Sequence, residues 1–312
     1  MIRAGGFWLA LLLAVPAAQA QTAFVTNQNS DDLTIVDLAT RQPLATLPIG
    51  GKPAGIAMAR DGAFAYVTSP EGKFVSVIDV PARKVLRRIA VEGGPLGIAV
   101  APDGAHIFVA DWFSARVVAI DPVSGMVTGT AQVGASPSGI AFTPDGKLFL
   151  TADRDDNQVS IVEADTLRRV GVVKVGERPF GITIDATGQR AYSADVGSDS
   201  VSIIDITAQK LVGTVKVGKR PYAVALAGGR GFATNQYADS VSVFDLATLE
   251  TLATIPVGDY PEGIEASPDG RTVYVACWFE NQLQAIDVAT MKVTGKVPVG
   301  DGPRAFGRFI AR

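Results

Sequence analysis

The sequence predicts an all-β fold, a seven-bladed propeller with four antiparallel strands in each blade. Three observations predict it: a proline that recurs at a nearly constant interval, an acidic residue that recurs in step with it, and four short β-type runs within each interval. A sequence period between about 20 and about 50 residues indicates stacked or radial repeats. Short runs without amphipathic helices between them favour propeller blades over a parallel α/β sheet.

The proline marker follows a glycine-containing turn, and its successive spacings are 42, 42, 42, 42, 40 and 42 residues. It occurs at Pro53, Pro95, Pro137, Pro179, Pro221, Pro261 and Pro303. The acidic marker ends a VSVID-like run and repeats the same spacings in the same order. It occurs at Asp37, Asp79, Asp121, Glu163, Asp205, Asp245 and Asp287. Two independent markers therefore define seven units, with a two-residue deletion between Pro221 and Phe232.

Each unit contains four short β-type runs, as in residues 97–100, 107–110, 117–120 and 127–132. Turn residues separate the runs, notably Pro102-Asp103-Gly104. The chain begins with the second to fourth strands of a unit, from Phe24 to Ile49, and ends with a lone first strand, from Pro303 to Ile310. We therefore expect the N-terminal and C-terminal strands to pair within one blade, which closes the ring and removes exposed sheet edges.

This reading gives a single propeller domain over residues 21–312. The expected blades cover about 53–90, 95–132, 137–174, 179–216, 221–256, 261–298, and 303–312 with 22–49.

Residues 1–20 have the features of a signal peptide. Arg3 supplies a positive charge, residues 7–15 are apolar, and Ala18-Gln19-Ala20 is a small-residue cleavage signal. We expect the mature protein to begin at Gln21 and to be periplasmic, without membrane insertion. Because Cys277 is the only cysteine, an internal disulfide is impossible even in an oxidising compartment.

The composition argues against several chemistries. The formal net charge of −3 opposes nonspecific attraction to nucleic acid. One histidine, His106, and one cysteine on distant blades cannot supply a zinc-type ligand set, and the C-x-x-C-H haem attachment motif is absent from the sequence. His106 is interpreted as structural or solvated, which disfavours a Ser-His-Asp triad. We therefore expect no cofactor, no metal centre of this kind and no catalytic residue.

The repeat resembles the YVTN family of β-propellers, whose name is nearly spelled by residues 24–27 (FVTN) and 66–69 (YVTS). The VG-x-x-P-x-GI-A, PDG and VSVID segments of that pattern recur along the mature chain. The resemblance implies a secreted seven-bladed propeller, similar to periplasmic propellers associated with catabolism that depends on pyrroloquinoline quinone. Related propellers include lactonases and haem d1-binding domains, so the fold alone does not choose a function.

The loops between second and third strands share one face with the links between blades. The last residue of each YVTN-like run lies on this face, at Asn27, Ser69, Asp111, Asp153, Asp195, Asn235 and Cys277. The three aspartates have the oxygen ligands that Ca²⁺ prefers, but an aspartate that caps its own turn is the favoured alternative. A second loop position, two residues before VSVID, is Asn or Asp in five blades and becomes Lys73 and Ala115 in two neighbouring blades.

Aromatic residues occupy the same loops. Trp112-Phe113 and Trp278-Phe279 are at equivalent positions of two blades, and Tyr237 belongs to the same loop set. Large exposed aromatics are typical of interface anchors or of ligand-stacking walls. Packing over the edge of a blade is the alternative.

The residue after each repeating proline varies while its framework stays constant, so these residues are expected to encircle the channel mouth. They are Ala54, Leu96, Ser138, Phe180, Tyr222, Glu262 and Arg304. Neighbouring loops divide the charge into two sectors. The basic sector contains Arg178, Lys219 and Arg220, and the acidic sector contains Asp259, Glu262 and Glu280. Such asymmetry can orient an anionic ligand or a charged protein.

The sequence favours a non-enzymatic, protein-binding or scaffold function, accessory to a quinone-dependent oxidation or transport system. The partner is expected to be a periplasmic protein that contacts the aromatic and charged loops. The alternative is a site at the central channel, either for a small molecule or cofactor or for lactonase-like hydrolysis by Asp111, Asp153 and Glu262 with Arg304.

Overall fold

The computed structural model describes residues 21–311, which form seven blades. The predicted signal peptide at residues 1–20 lies outside the described part of the chain. Within residues 21–311 the only helices are two short 3₁₀ turns, Arg154–Asp156 and Gln236–Ala238. In this same range, no helix has the length and apolar character needed to cross a membrane.

Four strands build each blade, and their bounds follow the repeat. The first strands are β4 (Gly55–Met58), β8 (Pro95–Val100), β12 (Pro137–Phe142), β16 (Pro179–Ile184), β20 (Pro221–Ala227), β24 (Pro261–Ala266) and β28 (Phe306–Arg308). The second strands are β5 (Phe64–Ser69), β9 (Ile107–Asp111), β13 (Leu148–Asp153), β17 (Arg190–Asp195), β21 (Arg230–Asn235), β25 (Thr272–Cys277) and β1 (Thr22–Asn27). The third strands are β6 (Phe74–Asp79), β10 (Arg116–Ile120), β14 (Gln158–Glu163), β18 (Ser200–Asp205), β22 (Ser240–Asp245), β26 (Gln282–Asp287) and β2 (Asp32–Asp37). The fourth strands are β7 (Lys84–Ala90), β11 (Val127–Gln132), β15 (Arg169–Lys174), β19 (Lys210–Lys216), β23 (Thr251–Pro256), β27 (Lys292–Pro298) and β3 (Gln42–Pro48).

Neighbouring strands within a blade pair antiparallel, as predicted. The first strand of one blade contacts the first strand of the next, so these strands surround the central axis. The second and third strands are almost entirely buried, whereas the fourth strands alternate between exposed and partly buried residues. This pattern arises because inner strands are covered by the neighbouring blades on both faces, while the fourth strand lies at the outer rim.

Glycines of the GI pair allow the first strands to approach each other closely. A Cβ atom on Gly97 would lie 1.7 Å from the carbonyl oxygen of Ser138 in the next blade. Hydroxyl groups hold the same contact: Thr68 Oγ1 donates to Leu96 O at 2.7 Å. The conserved geometry of these contacts places the residue after each repeating proline at one end of the axis.

The C-terminal segment closes the ring in the predicted blade. It pairs antiparallel with β1 through bridges between Asn27 and Pro303 and between Ala23 and Ile310. Backbone hydrogen bonds join the two termini, including Phe24 N–H to Phe309 O at 2.8 Å. The prediction that the N-terminal and C-terminal strands complete one blade is therefore confirmed.

This closing strand departs from the repeat in one respect. Six residues (304–309) lie between its two bridges, opposite three residues of β1 (24–26), whereas in blade 2 four residues of β8 (96–99) lie opposite three of β9 (108–110). The surplus residues form a bulge, because unpaired residues must leave the antiparallel ladder. Within the bulge, β28 pairs parallel with β4, opposing Phe306 to Gly55.

A buried carboxylate supports the closing strand. Glu265 Oε2 on β24 accepts backbone N–H groups from Phe309 at 2.6 Å and Ile310 at 2.8 Å. The equivalent position is alanine in blades 1 to 3, at Ala57, Ala99 and Ala141. The carboxylate of blade 6 therefore provides the acceptor for two backbone N–H groups of the closing strand in blade 7.

Candidate functional site

The upper face of the propeller carries the loops between second and third strands and the links between blades. In five loops, the side-chain Oδ1 of an Asn or Asp with a positive φ accepts a hydrogen bond from the backbone N–H 21 residues later. The pairs are Asp31 with Lys52, Asn157 with Arg178, Asp199 with Arg220, Asp239 with Tyr260 and Asn281 with Gly302. Each pair fixes one link to the preceding loop. Lys73 and Ala115 have the same positive φ without this acceptor.

The three aspartates that the sequence suggests as calcium ligands are buried, and each has its own hydrogen-bond donors. Asp153 accepts from Ser160 Oγ at 2.5 Å and from Thr151 Oγ1 at 2.7 Å, and Asp195 accepts from Ser202 Oγ at 2.6 Å. Asp111 accepts from Arg116 Nε at 2.9 Å and from Phe113 N–H. No group of three or more His, Cys, Asp or Glu side chains within residues 21–311 could hold a metal ion. The turn-capping interpretation holds for Asp111, which accepts from Phe113 N–H in its own turn, but is wrong for Asp153, whose side chain makes no capping bond to its turn. Asp153 and Asp195 instead accept from hydroxyl groups of their own blades' strands.

Burial controls the pKa values of these carboxyl groups. It raises the pKa of Asp195 to about 6, and serine hydroxyls only partly offset it. It also raises the pKa of Asp153. Burial opposes ionisation of Asp111 as well, but hydrogen bonds from Gly94 N–H, Ser114 and Arg116 lower its pKa overall. In the same slot of blade 6, burial raises the pKa of the Cys277 thiol to about 12, so this sulfur is a packing group rather than a nucleophile.

An aromatic cluster fills the channel mouth. Phe180 lies with its ring centroid 4.6 Å from that of Tyr222 and 4.9 Å from that of Phe306, and all three side chains are buried. Ala54 and Leu96 complete the cluster. The residues after the repeating prolines thus converge, as the register predicts. Phe306, which the repeat assigns to the isoleucine slot of its strand, joins them because of the bulge in the closing strand.

Buried polar groups lie beside this cluster. Arg304 Nε donates to the Tyr222 hydroxyl at 2.7 Å and lies 3.3 Å from Glu262 Oε2. Arg304 Nη1 donates to Gln28 Oε1 at 3.1 Å, and Gln236 Nε2 donates to Glu262 Oε1 at 2.8 Å. The network joins loops and first strands of blades 5, 6 and 7.

The pKa values of this network follow from desolvation and proximity. Burial raises the pKa of Glu262 to about 7, although Arg304 lowers it in part. Burial also raises the pKa of Tyr222 well above its ordinary value. Desolvation works against the charge of Arg304, but Tyr222 and Glu262 raise its pKa overall. Near neutral pH, Glu262 is therefore divided between protonated and ionised forms while Arg304 stays charged.

The network continues outward to an aromatic ridge, which we define as Tyr237, Tyr260 and Phe279. Arg220 Nε donates to Gln236 Oε1 at 2.9 Å, and its Nη1 donates to the Tyr237 hydroxyl at 2.8 Å. The ring centroid of Tyr260 lies 5.8 Å from that of Tyr237 and 5.3 Å from that of Phe279. Tyr237 is 59% exposed and Phe279 is 68% exposed. The ridge is therefore a solvent-facing surface of contacting aromatic rings.

The two Trp-Phe pairs divide between packing and exposure. Trp112 is partly buried, with its ring 6.2 Å from that of Phe180 and the Arg154 guanidinium 5.6 Å above it. Phe113 is 80% exposed. Trp278 is likewise partly buried, and Phe279 is exposed. Each tryptophan therefore packs against the face, whereas each phenylalanine is free to contact a partner.

The structure does not bring all sequence-predicted residues together. Arg178 is exposed on the link that follows blade 3, fixed through its backbone to Asn157. Gln28 and Gln236 belong to the polar network, Phe306 to the aromatic cluster and Tyr260 to the ridge, and the sequence predicted none of these four. Gln28 and Gln236 occupy the loop position that is Trp112 and Trp278 in two other blades. This equivalence was the sequence signal that could have identified them. His106 lies by the turn between β8 and β9, at the opposite end of the blade.

Seven four-stranded blades, closed by pairing of the two termini, define a β-propeller with a loop-built face. The chain belongs to the YNCE-like beta-propeller family, whose model matches residues 14–101, 87–232 and 197–309. This confirms the predicted YVTN-type propeller.

Solved structures with the same fold include the following two. The chain is similar to Kuenenia stuttgartiensis hydrazine synthase, at 21% identity and a TM-score of 0.74, over 81% of this chain and 88% of that one. It is also similar to a functionally unknown protein from Desulfotomaculum acetoxidans DSM 771, at 16% identity and a TM-score of 0.77, over 92% of this chain and 99% of that one. No curated protein matches the sequence. At these identities the likenesses show the fold alone.

Proposed function

We propose that this chain is a non-enzymatic periplasmic scaffold whose upper face binds a partner protein, as an accessory to a quinone-dependent oxidation or transport system. The observation that carries the binding function is the exposure of Phe113, Tyr237 and Phe279 on one face. The signal-peptide features of residues 1–20 support export. The YVTN resemblance supports the quinone-dependent setting.

Exposed aromatics on fixed loops favour protein binding for an energetic reason. Aromatic side chains bury a large area on binding, and a few such anchors provide most of the energy of an interface. An ordered anchor also loses less conformational entropy when a partner docks. Tyr260 is fixed through its backbone to Asp239, and Tyr237 is held by Arg220. These contacts preorganise the ridge before any partner arrives.

A small-molecule site at the channel mouth is the second candidate, favoured by the convergence of Arg304, Glu262 and Tyr222. These groups bind one another, however, and three aromatic rings fill the space beside them. A lactonase-like reaction would also need Asp111 and Asp153 near Glu262. Instead, Asp111 accepts from Arg116 and Asp153 accepts from Ser160, each within its own blade. A small-molecule site at the channel mouth is therefore less well supported than a protein-binding site at the exposed rings.

Site-specific photocrosslinking in intact cells tests the proposed function. The photoreactive residue benzoylphenylalanine would replace Phe279, which keeps an aromatic ring at the ridge. A control protein would carry it in place of Val123, which is 82% exposed in a turn on the opposite face. A partner should form an adduct with the first protein and not with the second.

Two further results would decide against the proposal. If both positions gave the same adducts in the same yield, the contacts would be nonspecific. If the protein is folded and exported but forms no adduct at position 279, partner binding at the ridge would be contradicted.

A further inference from the structure

One end of the aromatic ridge is acidic. Asp259 and Glu280 are both exposed and adjoin Tyr260 and Phe279 in the chain. The two loops are held together because Phe279 N–H donates to Asp259 O at 3.4 Å and Trp278 N–H donates to Tyr260 O at 3.2 Å. We call Asp259, Tyr260, Phe279 and Glu280 the acidic corner. It places two carboxylates beside two aromatic rings.

The other end of the ridge shows what such rings attract. The Arg220 guanidinium lies 4.6 Å from the ring centroid of Tyr237 and also donates to its hydroxyl. A cation over an aromatic face is stabilised by the ring quadrupole. Among residues 21–311, no Arg or Lys of the chain stacks in this way on Tyr260 or Phe279. The acidic corner therefore also presents aromatic rings. Negative charges adjoin these rings, and no described Arg or Lys stacks on them.

The geometry of the two rings suits a long cationic side chain. The Tyr260 and Phe279 rings meet at 66°, so they form an angled apolar wall rather than a flat stack. Lysine and arginine place an aliphatic stem along such a wall while keeping the charged group in water. Asp259 and Glu280, exposed and next to these rings in the chain, supply the carboxylates that can pair with that charge.

We propose that the acidic corner binds an arginine or lysine side chain presented by an extended, basic segment of the partner protein. This inference rests on the proposed protein-binding function and deepens it by specifying the chemistry of the partner. Charge complementarity selects this occupant. Glu280 Oε2 accepts from Gln284 Nε2, but neither Glu280 nor Asp259 forms an ion pair with a described Arg or Lys, so a neutral apolar segment would leave both charges without a cation and an acidic segment would be repelled.

The chain contains a matched control for this proposal. Phe113 occupies the position equivalent to Phe279 and is more exposed, at 80%. Its following residues, Ser114 and Ala115, are uncharged, and Arg154 already stacks on its neighbour Trp112. If exposed aromatic area alone attracted the partner, then Phe113→Ser and Phe279→Ser would have similar effects.

Peptide titration tests the inference with the full mature protein. Fluorescently labelled oligoarginine, oligoproline and oligoglutamate of equal length would be titrated at low and at physiological ionic strength. Oligoarginine should bind most tightly, and its affinity should fall as salt screens the charges. Asp259→Asn/Glu280→Gln and Phe279→Ser should each weaken oligoarginine binding about fivefold or more, as expected for ion pairs and cation–π contacts at a surface.

Two controls should leave this affinity within about twofold, because exposed charges beyond a Debye length are screened. They are Phe113→Ser and Glu71→Gln/Glu92→Gln, the latter changing two exposed acidic residues on the same face but in another sector. Equal binding of oligoproline and oligoarginine, or unchanged oligoarginine affinity in the Asp259→Asn/Glu280→Gln protein, would overturn the inference. So would an absence of oligoarginine binding.

These outcomes are separable from the proposed function. If a partner crosslinks at Phe279 and the yield is unchanged by Asp259→Asn/Glu280→Gln, then the ridge binds a protein. The inference that the partner presents a basic segment is then wrong. If no partner crosslinks while oligoarginine binds at the corner, the corner is a cation site and the scaffold function fails.

Discussion

Arg304 donates a 2.7 Å hydrogen bond from Nε to the hydroxyl of Tyr222, which joins the closing segment of blade 7 to the first strand of blade 5 across the channel mouth. The two residues are 82 positions apart in sequence. The Arg304 guanidinium also lies 5.8 Å from the Tyr222 ring centroid. One tyrosine therefore offers this partly buried cation both a hydroxyl oxygen and a ring.

Tyr222→Phe tests this bond. The substitution keeps the ring and removes the oxygen that accepts from Arg304. We expect the free energy of unfolding to fall by about 2 kcal/mol, as is typical of a hydrogen bond to a charged group. Urea denaturation measures the change. Tyr66→Phe is the matched control, since it removes a hydroxyl from another buried tyrosine outside the network; equal losses in the two proteins would contradict a special role for the Arg304 contact.

Glu262 makes stability depend on pH. Its pKa is raised by burial to about 7 in the folded protein, from an ordinary value of 4.5. Between these values the folded state binds more protons than the unfolded state, so stability decreases as pH rises. The stabilisation from the protonated form is present below pH 4.5 and is lost by about pH 7, amounting to about 3 kcal/mol.

Glu262→Gln should remove that part of the pH dependence. The stability of the native protein relative to the Gln protein is expected to decline across this pH window, because glutamine mimics the protonated acid at every pH. Chemical denaturation of both proteins at several pH values measures the difference. Parallel stability curves would show that Glu262 titrates normally. Asp195, with a pKa raised to about 6, is present in both proteins and cancels.

Glu265 should hold the closing strand through its two backbone contacts. Glu265→Ala leaves the Phe309 and Ile310 N–H groups without this acceptor, so we expect a loss of about 3 kcal/mol in the free energy of unfolding. Glu265→Gln retains one acceptor oxygen and should lose less. Hydrogen exchange at Phe309 and Ile310 provides a local measurement. Unchanged protection in the Ala protein would contradict the supporting role.

Deletion of residues 303–312 should destabilise the whole ring, because it exposes the edge of β1 and removes Arg304, Phe306 and the partners of Glu265. A large fall in melting temperature is expected by differential scanning calorimetry. Removal of Arg312 alone is the control. An unchanged melting temperature after the longer deletion would exclude closure by this segment.

Ala115→Asn should stabilise the protein. Ala115 has a φ of 49°, a conformation that costs alanine about 1 kcal/mol and that asparagine adopts more readily. Asparagine would also supply the acceptor for the N–H of Ser136, 21 residues later, as its equivalents do in five other loops. Ala115→Gly relieves the φ strain alone, so the melting temperatures should rank Asn above Gly above Ala. An Asn protein no more stable than the Gly protein would show that the added hydrogen bond is not formed.

The repeat predicted the convergence of Phe180, Tyr222, Glu262 and Arg304 because all four follow the same proline. It did not predict that Glu262 and Arg304 form an ion pair or that Glu262 has a pKa near neutrality. Those properties depend on burial, which comes from rings on other blades. Tyr260 was missed for a related reason: its link position varies between blades and is aromatic only here, so only its distances to Tyr237 and Phe279 identify it.

The sequence by itself determined the number of blades, the strands within them and the blade in which the ring closes. It could do so because seven copies of one local pattern reinforce each other, and each copy depends on turns and alternation within about 42 residues. Only the tertiary structure decided that Phe306 of the bulged closing strand fills the mouth, that Phe279 is exposed while Trp278 packs, and that Asp259 and Glu280 adjoin one pair of contacting rings. These features depend on a bulge and on contacts between loops of different blades, and neither leaves a periodic signal in the sequence.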